Sequence, residues 1–407
     1  MSDAPDPAVT DTADRADQPL RRTHRRAVWT TILASQLVVA LLTMTGVYVA
    51  YNGLNDNIAD GKVVPHKVPK VLPSGMSDDE PTQPLNILVM GSDSRVGAGN
   101  DIDGENADGS QRSDTVILLH VSQDRTNAYG VSLPRDAIVD RPDCMVDGKN
   151  VPGETGVRFN TAFSVGGPLC TVQTVEELTG IFIDHFLVLD FNGFKDMVDA
   201  VNGVEVCLPK AVDDDEHNIH FEAGTQVLTG NQALDYVRER YQLSVTGDIG
   251  RMKRQQAFIA SMVNKVRSAG TLSQPRKVYD FLGAVTSSIQ VDDGLDTVGK
   301  LFDLAMQFRS TGLDKIKFIT VPIEPDPNNP LVTLVWAPSA DDLWERIKQD
   351  QKLGRDFSAG SIGADDSVTG DPTDGPTDAP TDGGTGGGTG GGSAEDTADR
   401  IAAGLCA

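Results

Sequence analysis

Between Ala27 and Ala50 the chain runs AVWTTILASQLVVALLTMTGVYVA, 24 residues without a charge. As a helix rising about 1.5 Å per residue this stretch covers roughly 36 Å, enough to cross a hydrocarbon core of about 30 Å. It reads as a single membrane span. Arg21, Arg22, Arg25 and Arg26 stand immediately before it, with no acid after Asp17, whereas the first charges beyond it are Asp56 and Asp60. That asymmetry places residues 1–26 in the cytoplasm and everything from about Tyr51 onward outside it. A cleavable signal peptide is the competing reading, but the apolar run exceeds the usual length and no A-x-A site follows.

Beyond the span the chain has three parts. Residues 51–83 are punctuated by Pro, Lys and Asp without a period, as in a spacer. Residues 84–353 are long enough for one large domain. Residues 354–407 contain DPTDGPTDAPTDGGTGGGTGGGS, too poor in apolar side chains to bury a core, and are expected to be a disordered acidic tail.

Within the central block, LNILVMG (85–91), DTVILLHV (114–121) and NAYGVSL (127–133) are short apolar runs of the kind that form strands buried on both faces. KIKFITV (315–321) and LVTLVW (331–336) also read as strands. Helical spacing marks 171–180, 191–201, 231–241 and 251–268. The expected fold is therefore α/β, a central mixed sheet flanked by helices, behind one N-terminal transmembrane helix. The polar stretch 96–111 reads as a surface loop.

The charge balance narrows the function. With 59 Asp and Glu against 35 Lys and Arg, the formal charge is −24, which excludes a general nucleic-acid binder. In so acidic a chain, the arginines fall at particular places. Arg95, Arg112, Arg135, Arg158, Arg238, Arg240, Arg251 and Arg254 stand at strand ends, in loops or at helix starts. A guanidinium fork matches phosphate oxygens two at a time and stays charged when partly desolvated.

On the helix at 251, the stripe Arg251, Gln255, Phe258, Met262 begins polar and turns apolar, so its first turn suits an anion. Asp248 just ahead suits an N-cap, and the helix dipole adds to the attraction. Arg251 paired with a core carboxylate fits the same pattern. In YVRER, Arg238 and Arg240 fall on different sides of a helix unless it ends there.

Two acids, Asp93 after the first strand and Asp114 opening the second, can meet at one sheet edge. There they are either Mg²⁺ ligands, which suit phosphate oxygens alongside, or ordinary turn residues. The four cysteines, Cys144, Cys170, Cys207 and Cys406, include no CxxC pair, which excludes zinc ribbons and thioredoxin-type sites. Outside the cytoplasm they can oxidise, and Cys144 with Cys170 is the nearest pair; free buried thiols are the alternative.

GSDSR, RSDT, SLPRD, RFNTAF followed by GG, YVRER and GDIGRMKRQQ, in that order behind one membrane helix, resemble the LytR-CpsA-Psr family of cell-wall glycopolymer ligases, actinobacterial type. The likeness covers about Asn86 to Val266. It implies a phosphotransferase that moves a glycopolymer, such as arabinogalactan or teichoic acid, from a polyprenyl diphosphate carrier to peptidoglycan and releases polyprenyl phosphate. It also implies Mg²⁺ at the diphosphate and a lipid tail in an apolar pocket. By motif position, Asp93 and Asp114 match the metal-associated acids. Arg112, Arg135, Arg158, Arg238, Arg240, Arg251 and Gln255 match the diphosphate-binding set, with Arg158 where the motif often has Lys. Of these, Asp93, Arg135, Arg238 and Arg240 stand for catalysis; the proton of the incoming hydroxyl goes either to Asp93 as general base or to water.

Val172, Val175, Leu178, Phe194, Val198, Phe258 and Met262 either line the lipid slot or pack the core. The alternatives to transfer are a diphosphatase acting on the same donor and a non-enzymatic envelope regulator.

Overall fold

The computed structural model describes residues 18–60, 64, 83–92, 112–146, 148–215, 219–239, 243–244, 246–267, 275–330, 332–366 and 394–406. The chain divides into two compact units, Met1–Gly53 and Leu54–Ala407. Helix α1 (Gln18–Asp60) supplies the described part of the first. Its stretch Arg26–Ile58 is long and apolar enough to cross a membrane, and none of its most apolar window is buried in protein. Side chains such as Trp29, Leu33 and Leu42 stand exposed, which suits lipid and does not suit water.

The second unit is built on seven strands: β1 (Leu85–Ser92), β2 (Ser113–Val121), β3 (Ala128–Leu133), β4 (His185–Asp190), β5 (Ile289–Val291), β6 (Ile316–Thr320) and β7 (Ile362–Gly363). Their order is β5-β4-β1-β2-β3-β6-β7. The β1-β2-β3 meander is antiparallel, β4 runs parallel to β1, β6 runs parallel to β3, and the two edge strands are antiparallel. The sheet is mixed, as the sequence predicts.

Helices cover both faces: α2 (Thr161–Thr179), α3 (Phe191–Ala200), α4 (Gly230–Arg238), α5 (Asp248–Arg267), α6 (Pro275–Ser288), α7 (Val298–Gln307), α8 (Ser339–Lys348) and α9 (Ala394–Ala402). Leu88, Met90, Leu118 and Val131 pack against Phe163, Val172 and Val175 of α2 and Leu343, Trp344 and Ile347 of α8. On the opposite face Val121, Ala128, Ile316 and Phe318 meet Ala257 and Ala260 of α5. Each large side chain buried this way contributes about 1.5–3 kcal/mol. Gly130 is glycine because a Cβ there would sit 2.6 Å from the Phe318 ring.

Several expectations need correction. HFLVLD forms β4, a strand beside β1 that the sequence reading passes over. Leu334–Trp336 is a strand, but it pairs with Ile323–Pro325 in a separate hairpin and not with the main sheet. Helix α2 begins ten residues before the expected 171 and carries the Gly-Gly pair inside it. Gly166 and Gly167 leave helical geometry, and the helix resumes at Pro168, whose ring suits a first turn. The region after 353 is not wholly unfolded. Residues 362–363 complete the sheet as β7, and 394–402 form α9, whose amphipathic ADRIAAGLC end buries Ala403, Leu405 and Cys406. Residues 51–60 continue α1 and bury Leu54 and Ile58, so they are not spacer. The expected loop at 96–111 lies outside the described residues.

All four cysteines are bonded. Cys144 pairs with Cys170, and Cys207, in the strand Val204–Leu208, pairs with Cys406 at the end of the chain.

Candidate functional site

Strand direction gathers the site. Because β1 and β4 are parallel, Ser92 and Asp190 end side by side; β2 starts at that same edge, β3 ends there, and Ser132 pairs with Thr320 at the end of β6. In such sheets the carboxyl ends of parallel strands leave the crevice where ligands bind.

Helix α5 is pinned over this edge by its amides. Gln256 donates from Nε2 to Ser132 Oγ and Thr320 Oγ1, both at 2.9 Å. Gln255 accepts from Thr115 Oγ1 at 3.1 Å and donates to the Val237 carbonyl at 3.0 Å, joining the helix to β2 and to α4. The polar first turn anticipated from the stripe therefore lies where the strands end. Phe258 and Met262, lower on that stripe, pack with Phe194 and Val198, while Val172, Val175 and Leu178 belong to the cluster under the sheet. These seven side chains pack in core clusters.

Arg135, just beyond β3, is the centre of the cluster. Its Nη1 donates to Asp114 Oδ1, its Nε to Asp136 Oδ2 at 3.2 Å, and its Nη2 lies 3.7 Å from Asp248 Oδ1. Burial of this guanidinium, 13 % exposed, works against its charge, but the carboxylates of Asp114, Asp248 and Asp136 outweigh that and raise its pKa above the ordinary value. It is a fixed cation.

Asp248 is the first residue of α5 and takes Nη2 of Arg251 at 3.0 Å, so Arg251, only 2 % exposed, pairs with the helix's own first acid. Arg158 reaches the same cluster through Asp136 at 3.7 Å and is 48 % exposed. Its position follows from the backbone: Ile138 pairs with Arg158, and the Asn160 N–H donates to the Arg135 carbonyl at 3.0 Å.

Helix α4 ends at Arg238, inside YVRER. The Arg238 guanidinium stands 4.9 Å from the Phe191 ring centroid, a cation–π contact at the start of α3. Arg112 is exposed directly before β2 at the same edge. Asp93 and Arg240 lie outside the described residues.

Arg254, which the sequence places at a helix start but not in the diphosphate-binding set, is fully buried and turned away. Its Nη1 donates to the Ala403 carbonyl at 3.0 Å and its Nη2 to the Glu239 carbonyl, beneath Tyr236, whose hydroxyl pKa burial pushes up to about 12. Four further site residues carry no signal in the sequence that sets them apart: Asp136, within SLPRD, and Thr115, Phe191 and Gln256, whose roles depend on which elements become neighbours.

The described site thus holds the guanidinium groups of Arg135, Arg158 and Arg251 against three carboxylates, with Arg112 and Arg238 at the same sheet edge. Asp114, Asp136 and Asp248 each keep between a fifth and a quarter of the side chain exposed. Such an edge presents cations already oriented by acids, which suits an anionic ligand with several oxygens. Asp114, a hard oxygen donor with about a fifth of its side chain exposed, fits Mg²⁺, which binds through one or two carboxylates and completes its shell with water and phosphate oxygens.

Residues 47–350 match the family model described as LytR_cpsA_psr family. The chain belongs to the LytR-CpsA-Psr family. Among curated relatives it is 34% identical over 266 residues to the cell wall biosynthesis protein LcpA of Corynebacterium glutamicum, covering 58% of this chain and 50% of that protein. It is 28% identical over 286 residues to the polyisoprenyl-teichoic acid–peptidoglycan teichoic acid transferase TagV of Bacillus subtilis, covering 69% and 67%. The chain spans about half the length of the corynebacterial relatives it matches. Among solved structures, protein gbs0355 from Streptococcus agalactiae superposes with a TM-score of 0.54 at 25% identity, covering 67% of this chain and 90% of that one. TagT bound to LI-WTA gives 0.52 at 21% identity, covering 72% and 100%, a likeness of fold.

Proposed function

We propose that this LytR-CpsA-Psr protein is a membrane-anchored phosphotransferase that moves a phosphate-linked glycopolymer from a polyprenyl diphosphate carrier onto peptidoglycan. The observation that carries the reading is the convergence of Arg135, Arg158, Arg238 and Arg251, from four separate stretches of chain, on one sheet edge. Relatives named as cell-wall biosynthesis proteins and teichoic acid transferases support it. α1 is the anchor, and the arginines before it put the N-terminus in the cytoplasm and the sheet domain outside.

Phosphoryl transfer mainly demands positioning and neutralisation of charge. A hydroxyl of peptidoglycan attacks the phosphorus attached to the polymer. The bond from that phosphorus to the bridging oxygen breaks, and polyprenyl phosphate leaves with the electron pair. The hydroxyl proton passes to water or to the carboxylate of Asp93. Arg135, Arg158, Arg238, Arg240 and Arg251 hold the diphosphate and stabilise charge on the departing oxygen. Asp114 at the edge, with Asp93, would hold Mg²⁺, which when bound adds further neutralisation of the diphosphate. Asp136 and Asp248 keep Arg135 and Arg251 aimed.

The test is to incubate the full chain in detergent with a lipid-diphosphate oligosaccharide, peptidoglycan fragments and Mg²⁺. The expected product is a muropeptide carrying the phosphorylated oligosaccharide, with Arg135→Ala and Arg240→Ala nearly inactive. Free phosphorylated oligosaccharide without an adduct at saturating acceptor would show a diphosphatase instead, and binding without bond cleavage would show a regulator.

A further inference from the structure

The C-terminus returns to the site from behind. After α9, Ala403, Leu405 and Cys406 are buried, and Cys406 is bonded to Cys207. Lys253 Nζ lies 3.5 Å from Asp399, and Arg400 lies 3.6 Å from Asp366. Gly404, with φ +81°, comes so close to the turn after α4 that a Cβ would lie 2.1 Å from the Leu243 carbonyl oxygen.

Between this segment and the site stands Arg254. Its guanidinium is 0 % exposed, and burial lowers its pKa, an effect that Tyr236 and Glu239 only partly offset. Burying such a cation is expensive unless its donors are used. Here two of them join distant backbones, Nη1 to Ala403 and Nη2 to Glu239, while Nε has no hydrogen-bond partner among the described residues. Glu239 is the residue between Arg238 and Arg240, just where α4 stops. Its carbonyl is therefore held from below by a side chain that the C-terminal segment holds in turn.

We propose that Arg254 is a positioning residue that couples the docked C-terminal segment 394–406 to the end of α4 at Arg238 and Glu239, so that the diphosphate-binding edge is fully assembled only when the C-terminus is in place. The coupling rests on the diphosphate reading of the site given above. Cys207–Cys406 fastens that segment to the domain.

Two full-chain variants test this. Arg254→Met keeps the length of the side chain and removes both donors; Cys207→Ser with Cys406→Ser keeps Arg254 and frees the end of the chain. Two quantities are read: hydrogen exchange at Arg238, Glu239, Leu243 and Ser244, with β1 and β2 amides as the internal reference, and the Kd for geranylgeranyl diphosphate. Both variants are expected to speed exchange in the turn about tenfold or more and to weaken binding about tenfold, with β1 and β2 unchanged. Arg254→Lys, which can reach one carbonyl, should restore part of the affinity.

Faster exchange at residues 399–405 in the cysteine variant with no change in the turn overturns the coupling. So does a folded Arg254→Met protein whose exchange and Kd stay within twofold of wild type. If Arg254→Met loses β1 and β2 protection, the cysteine variant alone decides. Wild-type protein that fails to bind the diphosphate refutes the reading of the site, and the exchange data then decide the coupling separately.

Discussion

Replacing Arg135 by alanine separates a catalytic cation from a structural one. Arg135 donates to Asp114 and Asp136 and faces Asp248, but all three acids are partly exposed and regain water when it is removed. Hydrogen bonds to charged groups contribute about 1.5–3 kcal/mol when buried and less where solvent reaches them. A stability loss of about 1–2 kcal/mol is expected, small against roughly 5–15 kcal/mol for a domain, so nearly all the protein stays folded. In the transition state the same guanidinium would contact two phosphate oxygens. Neighbouring Arg158 and Arg251 compensate in part, leaving a cost of about 3 kcal/mol, or roughly 10²-fold in kcat/KM. Arg135→Lys keeps the charge but loses the fork, and should fall between wild type and alanine. The assay is adduct formation from a lipid-diphosphate donor at a temperature far below the melting point, with thermal unfolding measured in parallel. A kcat/KM within threefold of wild type for Arg135→Ala, or a loss accounted for by unfolding alone, refutes the argument.

Chelation by EDTA should abolish transfer and added Mg²⁺ restore it, with Asp114→Asn raising the midpoint Mg²⁺ concentration about tenfold; an unchanged midpoint removes Asp114 from the metal site. Gln256→Leu leaves the Ser132 and Thr320 hydroxyls without their shared donor and should cost about 1–3 kcal/mol in denaturant unfolding, with a lower kcat as the start of α5 loosens. Burial raises the pKa of Asp292, but hydrogen bonds from His185, Phe186 and Gly294 outweigh it and hold the carboxyl below its ordinary 3.8. Its contribution is present above that pH and lost as acid takes the folded protein through the depressed value. Asp292→Asn should flatten the fall in stability below about pH 4, and parallel acid-unfolding curves for variant and wild type would contradict this. Trp344→Ala, in the core between α8 and the sheet, should cost about 3–5 kcal/mol in the same unfolding assay; less than 1 kcal/mol would mean that α8 is not a structural layer.

Local patterns carried much of the fold. The β1-β2-β3 meander, α3 and α5 are legible because their apolar period is strong and their ends are marked by polar residues. The short β4 was passed over although HFLVLD is nearly all apolar, because a six-residue run beside a helix offers little period to read. The hairpin at Leu334–Trp336 looks like any strand until its partner is known. The tail misled because composition averages over a long Gly- and Thr-rich stretch and hides the short amphipathic end that Cys406 fastens.

At the site, arginine placement at element ends pointed to one edge. What the sequence could not show was which acid each arginine meets: Asp136 is adjacent to Arg135, but Asp114 and Asp248 reach it only through sheet pairing and the docking of α5. In GRMKRQQ helical spacing alone does not separate Arg251 from Arg254, three residues apart; only the motif resemblance leaves Arg254 out of the diphosphate set.

The central claim is that remote arginines share one diphosphate. A crystal structure of the full chain with a polyprenyl diphosphate measures this most directly. The account predicts phosphate oxygens within about 2.7–3.2 Å of guanidinium nitrogens of Arg135 and Arg251, with Arg238 alongside. A diphosphate bound away from the edge formed by Ser92, Asp114 and Arg135 would contradict it.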